Sequence, residues 1–165
     1  MPAAIKQNKE IDRTGIAASV GLGIGTATRT TINYEHAIQD DVPDGGIPAV
    51  GLDGSAKKAD TSTFYGSRDD FEKATTDTFT VKFEQDFKEN STFSNTTRYG
   101  KTRQEMLLTS PFNYSTTANT VTRSMHAKWQ ENELFTNQSN ISTQLKTGPL
   151  VHNISTGVEI TKESQ

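Results

Sequence analysis

The sequence of 165 residues contains no cysteine, which excludes a disulfide framework and a metal site built on thiolates. Hydrophobic residues make up only 32% of the chain, and the mean hydropathy is -0.66. Globular domains usually reach about 45–50% apolar residues plus glycine. Disordered chains are also poor in apolar residues, but they usually lack the aromatic and β-branched residues that recur here in strand-like runs. The composition therefore predicts ordered strands with few residues available for a core.

The chain also lacks a strong charge and a long apolar run. Its 17 basic and 20 acidic residues give a net charge of -3, and no basic stripe or recognition-helix pattern predicts a nucleic-acid partner. No run of 18 or more apolar residues predicts a transmembrane helix. The N-terminal residues contain no apolar segment of the kind found in signal peptides, so none is expected.

No pattern of catalytic or metal-binding residues is visible. His36, His126 and His152 lie far apart and lack the spacing of metal ligands. The segment 21–26, G-L-G-I-G-T, lacks the spacing and the following helix of a phosphate loop. No nucleophile signature such as G-x-S-x-G occurs. We therefore expect no enzymatic activity, no metal site and no cofactor.

Strand signals, in contrast, recur along the whole chain. Runs of alternating apolar and polar residues predict six arms, at 16–24, 28–38, 76–87, 92–108, 121–146 and 149–162. Short turns are predicted near 25–27, 88–91 and 147–148, and long connections at 39–73 and 109–119. The prediction is an all-β, antiparallel up-and-down meander whose short and long connections alternate.

The central hairpin shows the alternation most clearly. An antiparallel register in which paired residue numbers sum to 180 places Phe87 opposite Phe93 and Val81 opposite Tyr99. Because side chains alternate with period two, this register collects the apolar residues on one face. The apolar face holds Phe79, Val81, Phe83, Phe87, Phe93 and Tyr99. The polar face holds Lys82, Glu84, Asp86, Ser94, Thr96 and Arg98.

The two outer hairpins give the same result. A sum of 295 pairs Leu145 with Leu150 around a two-residue loop at 147–148. A sum of 52 pairs Val20 with Ile32. Each register again places the apolar partners on one face.

Two architectures fit this pattern. A transmembrane β-barrel has short turns on one side, long loops on the other and outward-facing apolar residues. A soluble β-sandwich would instead bury the apolar face against a second sheet. The arm at 92–108 is long, because globular strands usually have about 5–6 residues. Periodicity alone leaves both architectures open.

Six segments carry a family resemblance. They are D-R-T-G-I-A-A-S-V-G-L-G-I-G-T-A-T-R-T-T (12–31), N-Y-E-H-A-I-Q-D-D-V-P-D-G-G-I-P (33–48), F-Y-G-S-R-D-D-F-E (64–72), T-D-T-F-T-V-K-F-E-Q-D-F (76–87), T-F-S-N-T-T-R-Y-G-K-T-R (92–103) and N-Q-S-N-I-S-T-Q-L-K-T-G-P-L-V-H-N-I-S-T-G-V-E-I (137–160). In this order they resemble TonB-dependent siderophore receptors, particularly the catecholate branch. The similarity extends over nearly the whole chain from about Asp12. No single segment is diagnostic, but the collinear set is specific.

The resemblance implies a place in a larger protein. Such receptors are 22-stranded barrels of the bacterial outer membrane with an N-terminal plug, and a TonB box receives energy from the TonB complex. Neither a plug nor a TonB box is recognised here. We therefore expect an open slice from the middle of the barrel, with residues 1–13 as an N-terminal remnant and 14–165 as partial barrel. Such a segment is not expected to transport by itself, and it would meet the TonB complex only through parts missing from this chain.

The resemblance also implies a ligand, a ferric siderophore, as cargo rather than cofactor, and outer-membrane lipid as the partner of the apolar face. Ligand contacts are expected in the long connections, including the Pro- and Gly-rich segment 40–54, because long ordered loops on a rigid scaffold commonly bind ligands. Aromatic rings can stack on catecholate rings, and arginine can meet the negative charge of a ferric complex. By residue type, the candidates are Tyr65, Arg68, Phe112 and Tyr114.

Overall fold

The computed structural model describes residues 10–48, 62–88, 90–115, 117–118 and 120–165. Six β-strands account for most of these residues, and no helix occurs among them. The strands are β1 (Ile11–Leu22), β2 (Thr28–Asp41), β3 (Phe71–Lys88), β4 (Ser91–Ser115), β5 (Thr120–Thr147) and β6 (Leu150–Ser164).

The six strands form one antiparallel sheet in the order β1-β2-β3-β4-β5-β6. Each strand therefore pairs with its neighbours in the sequence, which confirms the predicted meander. The strands are long, and β4 and β5 contain 25 and 28 residues, against about 5–6 in most globular sheets. The expected boundary after residue 13 stays a prediction, although β1 begins before it at Ile11.

The predicted connection at 109–119 is wrong in extent, because β4 continues through Ser115. The proline in T-S-P-F-N-Y suggested a loop, since proline cannot donate a hydrogen bond to a neighbouring strand. In the structure, Thr109 meets the β2–β3 connection instead of a long partner strand: its main-chain N–H donates to the Asp70 carboxylate at 3.0 Å. Pro111 thus lies where β4 has left the regular pairing with β3.

The predicted register of the last hairpin is wrong by two residues. Leu145 lies opposite His152, and Thr147 lies opposite Leu150, so the paired numbers sum to 297 rather than 295. The loop is therefore Gly148-Pro149, and Gly148 has a φ of 58°. Two-residue hairpin loops need positive φ, which glycine adopts without steric cost and threonine does not. The shift by two leaves every side chain on its predicted face.

The other two hairpins agree with the predicted faces. The main-chain N–H of Val42 donates to the carbonyl of Glu10 at 2.9 Å, and these numbers give the predicted sum of 52. Between β3 and β4, side-chain contacts join even-numbered residues of both strands. They are Thr92 with Asp86 at 2.7 Å, Arg98 with Thr80 at 3.4 Å and Thr76 with Thr102 at 3.2 Å. The residue numbers of each pair sum to 178, so the predicted sum of 180, with Phe87 opposite Phe93 and Val81 opposite Tyr99, is wrong by two residues. This shift also leaves every side chain on its predicted face.

The chain divides into two compact units, which are described separately. The loop-bearing unit contains the described residues up to Thr14, Ile38–Thr75 and Arg103–Gln130. The turn-bearing unit contains Gly15–Ala37, Thr76–Thr102 and Glu131–Gln165.

Candidate functional site

The apolar face of the turn-bearing unit is exposed. Phe79 is 45% exposed and Phe87 51% exposed, and on β6 Val158 reaches 68%. Among the described residues, Pro48 of the β2–β3 connection is the only apolar residue that is buried, and none of the strands contributes one. A sandwich would place a second sheet over this face, but the described strands all belong to a single sheet. The described part of the chain therefore offers no second sheet to cover this face.

A polar cluster interrupts the apolar face between β4 and β5. Asn95 and Thr97 alternate with Phe93 and Tyr99 along β4, so they share the apolar face. The Asn95 side-chain amide donates to Ser139 Oγ at 2.8 Å and to Asn137 Oδ1 at 3.2 Å.

The Asn137 amide completes this cluster. It donates to Thr97 Oγ1 at 2.7 Å and back to Asn95 Oδ1 at 3.3 Å. Asn95 and Asn137 thus each use both amide hydrogens within the cluster. We call Asn95, Thr97, Asn137 and Ser139 the amide cluster.

Charged groups lie on the same face at its loop-side limit within the turn-bearing unit. The Tyr34 hydroxyl donates to Asp77 Oδ1 at 2.7 Å, and His36 Nδ1 lies 2.9 Å from the same oxygen. Further along the sheet, Lys101 contacts two β5 carboxylates. It lies 2.5 Å from Glu131 and 2.8 Å from Glu133.

Lys101 forms ion pairs with both carboxylates. Lys101 donates to Glu133, and this hydrogen bond lowers the pKa of the Glu133 carboxyl. Tyr34 lies beside Asp77, and Tyr99 lies beside Glu133. At the opposite, tight-turn end of the face lie Phe87 and Phe93. Aromatic residues therefore occur at both limits of the apolar face.

The polar face of the same unit carries its own ionic contacts. Arg29 meets Asp86 through two hydrogen bonds, Nη1 to Oδ2 at 2.5 Å and Nη2 to Oδ1 at 3.0 Å. Thr92 donates to Asp86 Oδ1 at 2.7 Å, so one carboxylate links β2, β3 and β4. Because paired arginine–carboxylate bonds fix geometry well, this contact ties the three strands together.

A hollow of about 450 Å³ also lies on the polar face. Its lining includes Thr78, Thr80, Arg98 and Gly100 together with Glu35 of β2. The hydroxyl, guanidinium and carboxylate groups make this a surface for water or for a polar partner. The two faces of the sheet thus differ sharply in chemistry.

In the loop-bearing unit, Asp70 anchors the end of the β2–β3 connection. Its side chain is buried, and its carboxylate accepts the main-chain N–H of Ser67 at 2.9 Å and the Thr109 hydroxyl at 2.7 Å. A Cβ on Gly45 would lie 2.3 Å from the Thr109 carbonyl oxygen, so only glycine permits this close approach. Arg123 of β5 donates to the Gly66 carbonyl at 2.9 Å.

The structure places all four predicted ligand residues in the loop-bearing unit. Tyr65 and Arg68 lie in the β2–β3 connection, where Tyr65 is half-buried and Arg68 is exposed. Phe112 and Tyr114 lie in β4 instead of the predicted loop, and Phe112 is 68% exposed. Part of the predicted binding segment, 49–54, lies outside the described residues. The role of these residues in binding stays a prediction.

Sequence reasoning missed the Asp70 anchor and the amide cluster. In the sequence, nothing local distinguishes Asp70 from its neighbour Asp69. Thr109, which donates to the Asp70 carboxylate, is 39 residues away in sequence. The polar cluster could have been noticed, because N-x-T and N-x-S occur at the same face positions of two adjacent arms, at Asn95 and Asn137.

Among the described residues, neither a candidate metal site nor a membrane-spanning helix occurs. No group of three or more histidine, aspartate or glutamate side chains there could hold a metal ion. No helix of that part of the chain is long and apolar enough to cross a membrane.

Comparison with curated proteins supplies relatives. The chain is 38% identical over 175 aligned residues to the catecholate siderophore receptor Fiu of Escherichia coli K12, which covers 93% of this chain and 23% of the receptor. It is 32% identical to the probable TonB-dependent siderophore receptor PiuA of Acinetobacter baumannii, with 93% and 22% covered. No protein-family model matches the chain.

Solved structures agree. The open form of the ferric-catecholate import receptor Fiu from E. coli K12 matches with a TM-score of 0.89 at 36% identity, covering 98% of this chain and 28% of that one. The siderophore receptor PiuA from A. baumannii matches with a TM-score of 0.84 at 31% identity, covering 98% and 24%. These matches confirm the resemblance and the fold. The chain spans about a quarter of the length of the relatives it matches.

Proposed function

We propose that this chain, which is homologous to TonB-dependent receptors for catecholate siderophores, forms part of the barrel wall of such a receptor in the bacterial outer membrane. The observation that carries the proposal is the broad exposed apolar face of a sheet without a buried hydrophobic core in its described residues. Soluble monomers rarely expose contiguous apolar patches larger than a few hundred Å². Membrane lipid is the partner that such a face requires.

The limits of the apolar face support this placement. Outer-membrane barrels carry an outward apolar band with aromatic residues at both interfaces. Phe87 and Phe93 would form one aromatic limit, and Tyr34 and Tyr99 the other. A tilted strand crosses the membrane in about 9–11 residues, and every strand of the sheet is longer than that.

The amide cluster is compatible with contact to lipid. Hydrocarbon offers no hydrogen-bond partner, so an unsatisfied amide there costs several kcal/mol. Asn95 and Asn137 satisfy both amide hydrogens on each other and on Ser139 and Thr97. The amide hydrogens therefore need neither water nor a further partner.

The polar face would line the lumen. Its arginine, glutamate and threonine groups suit a wet interior, as in outer-membrane barrels. β1 and β6 each have a neighbour on one side only, so closure of the barrel needs strands from outside the described sheet. Passage of a ferric siderophore and contact with the TonB complex would depend on those further parts. Iron would pass as cargo, and the proposal includes no enzymatic step and no resident cofactor.

The ligand would be met by the loop-bearing unit. Tyr65, Arg68, Phe112 and Tyr114 offer aromatic rings and a cation, which suit an anionic ferric catecholate complex. Asp70 and Gly45 hold the β2–β3 connection against β4. This anchoring fixes the position of the segment that carries Tyr65 and Arg68.

The membrane placement can be tested with tryptophan fluorescence, because the chain has a single tryptophan, Trp129. In a Trp129→Phe background, Phe83→Trp places the reporter on the apolar face, and Thr96→Trp places a matched control on the polar face. The full chain is refolded into vesicles of phosphatidylcholine with brominated acyl chains, which quench tryptophan on contact. We expect quenching at position 83 to exceed that at 96 several-fold.

Two results would contradict the proposal. One is a soluble monomer that unfolds cooperatively and does not associate with vesicles. The other is equal quenching at positions 83 and 96 after insertion, because it would remove the assignment of the faces.

A further inference from the structure

Pattern alone cannot fix how β4 and β5 are aligned. A slip of one residue exchanges the two faces, but a slip of two leaves every side chain on its own face. The β5–β6 hairpin illustrates the ambiguity, since its apolar pattern fits a sum of 295 as well as the observed 297. There the loop at Gly148 decides. For β4 and β5, the connection lies after Ser115, twenty residues beyond Asn95.

The amide cluster lies in this distant stretch, and its geometry depends on alignment. Two of its bonds, Asn95 to Ser139 at 2.8 Å and Asn137 to Thr97 at 2.7 Å, join residues whose numbers sum to 234. The contact of Ser91 Oγ with Thr143 Oγ1 at 2.7 Å has the same sum.

A slip of two residues in either direction breaks all three contacts together. Towards a sum of 236 it moves Asn95 from Ser139 to Ile141 and moves Asn137 from Thr97 to Tyr99, so each amide loses its hydrogen-bond partners on the exposed apolar face. Towards a sum of 232 it places the two amides opposite each other, but the hydroxyls of Thr97 and Ser139 then lie opposite Phe135 and Phe93 and lose their amide partners. The cost of unsatisfied amides rises where water is scarce.

We propose that the amide cluster sets the register of β4 against β5 in the turn-bearing unit. The apolar pattern determines the face on which each side chain lies. The four side chains of the amide cluster then determine which of the registers with these faces forms. The cluster thus disfavours slipped pairings of β4 and β5, the two longest strands. This role holds for the sheet whether its apolar face meets lipid or another partner, so it does not rest on the proposed membrane function.

Because the chain has no cysteine, introduced cysteine pairs can report the register directly. A disulfide needs Cβ atoms about 3.5–4.5 Å apart. Ser91→Cys with Thr143→Cys reports the observed register, since the two hydroxyl oxygens are 2.7 Å apart. Ser91→Cys with Ile141→Cys, and Ser91→Cys with Leu145→Cys, report the two slipped registers.

The perturbation is Asn95→Val with Asn137→Val. Valine favours strands, so the sheet should still form. The matched control is Asn140→Val, on the opposite face of β5, where the amide contacts Ser142 and Ser155 instead of β4. The full chain is refolded in detergent micelles and mildly oxidised, and cross-linked fractions are measured together with far-ultraviolet circular dichroism.

With the cluster intact, and with Asn140→Val, we expect the 91–143 pair to exceed each slipped pair by at least about tenfold, a difference of about 1.4 kcal/mol. With both amides replaced, we expect the sheet signal to persist and the slipped pairs to approach the 91–143 yield. An unchanged tenfold preference would overturn the proposal. Loss of the sheet signal in the double variant would also overturn it, because a register-setting role leaves the strands folded.

Discussion

Replacing Ile141 by arginine tests the assignment of the two faces more severely than any other single change. Ile141 lies on the apolar face of β5, is 42% exposed and sits opposite Thr156. It is six residues from the end of β5 at Thr147. At about 3.4 Å per residue and a tilt of about 45°, this places it about 14 Å from the turn, near the middle of the hydrocarbon.

The expected cost follows from this depth. Arginine on the lipid face of a barrel costs about 2–4 kcal/mol at the midplane and about 0–1 kcal/mol near the interfaces. Ile141→Arg should therefore lower the ratio of folded to unfolded chain about 30- to 900-fold. Ser142→Arg is the matched control, because Ser142 is the next residue, is also exposed and lies opposite Ser155 on the polar face. It should stay within about 0.5 kcal/mol of the unsubstituted chain.

The assay is a reversible urea titration of the chain in phosphatidylcholine vesicles, followed by circular dichroism. Ile141→Leu serves as a second control and should be nearly neutral, because it keeps an apolar side chain on the same face. The reasoning is refuted if Ile141→Arg and Ser142→Arg cost the same, or if Ser142→Arg costs more. Either result would mean that the exposed apolar face does not meet hydrocarbon.

Three further outcomes are expected. Asp70→Asn should destabilise the loop-bearing unit by about 1–3 kcal/mol, because an amide cannot accept all the N–H and O–H donors that the buried carboxylate accepts, including those of Thr109. Faster hydrogen exchange of the Thr109 main-chain amide would show this loss. An exchange rate equal to that of the exposed-site control Asp69→Asn would contradict it. Gly148→Ala should cost about 1 kcal/mol because of the φ of 58°, measured as a lower urea midpoint, and an unchanged midpoint would count against the loop assignment. Asn137→Ala alone should cost about 0.6–2 kcal/mol in vesicles, and adding Asn95→Ala should cost less than a second independent loss if the two amides act as a pair.

Much of the fold was predictable because it depends on a local pattern. Alternation with period two requires only neighbouring residues, so the six strands and the two faces were visible in the sequence. The predicted alternation of short and long connections was right only in part, because β4 and β5 are joined by residues 116–119 alone. The extension of β4 through Pro111 was not, because proline is an ordinary loop signal and its acceptance here depends on the contact of Thr109 with Asp70. The pattern also failed to distinguish registers two residues apart, as the pairing of Leu145 with His152 shows.

The candidate site divides in the same way. Residue type suggested Tyr65, Arg68, Phe112 and Tyr114, and the structure places them in one unit but on two different elements. Binding by these residues stays a prediction.

By itself the sequence determined the all-β class, the apolar and polar faces and the relation to catecholate siderophore receptors, since composition, alternation and collinear segments are properties of the chain in order. Only the tertiary structure decided the register of the last hairpin, the anchoring of the β2–β3 connection by Asp70 and the closure of Asn95 on Asn137. The physical reason is distance along the chain: Asn95 and Asn137 are 42 residues apart. Hydrogen bonds between such residues exist only after the strands have been aligned, and no local pattern specifies them.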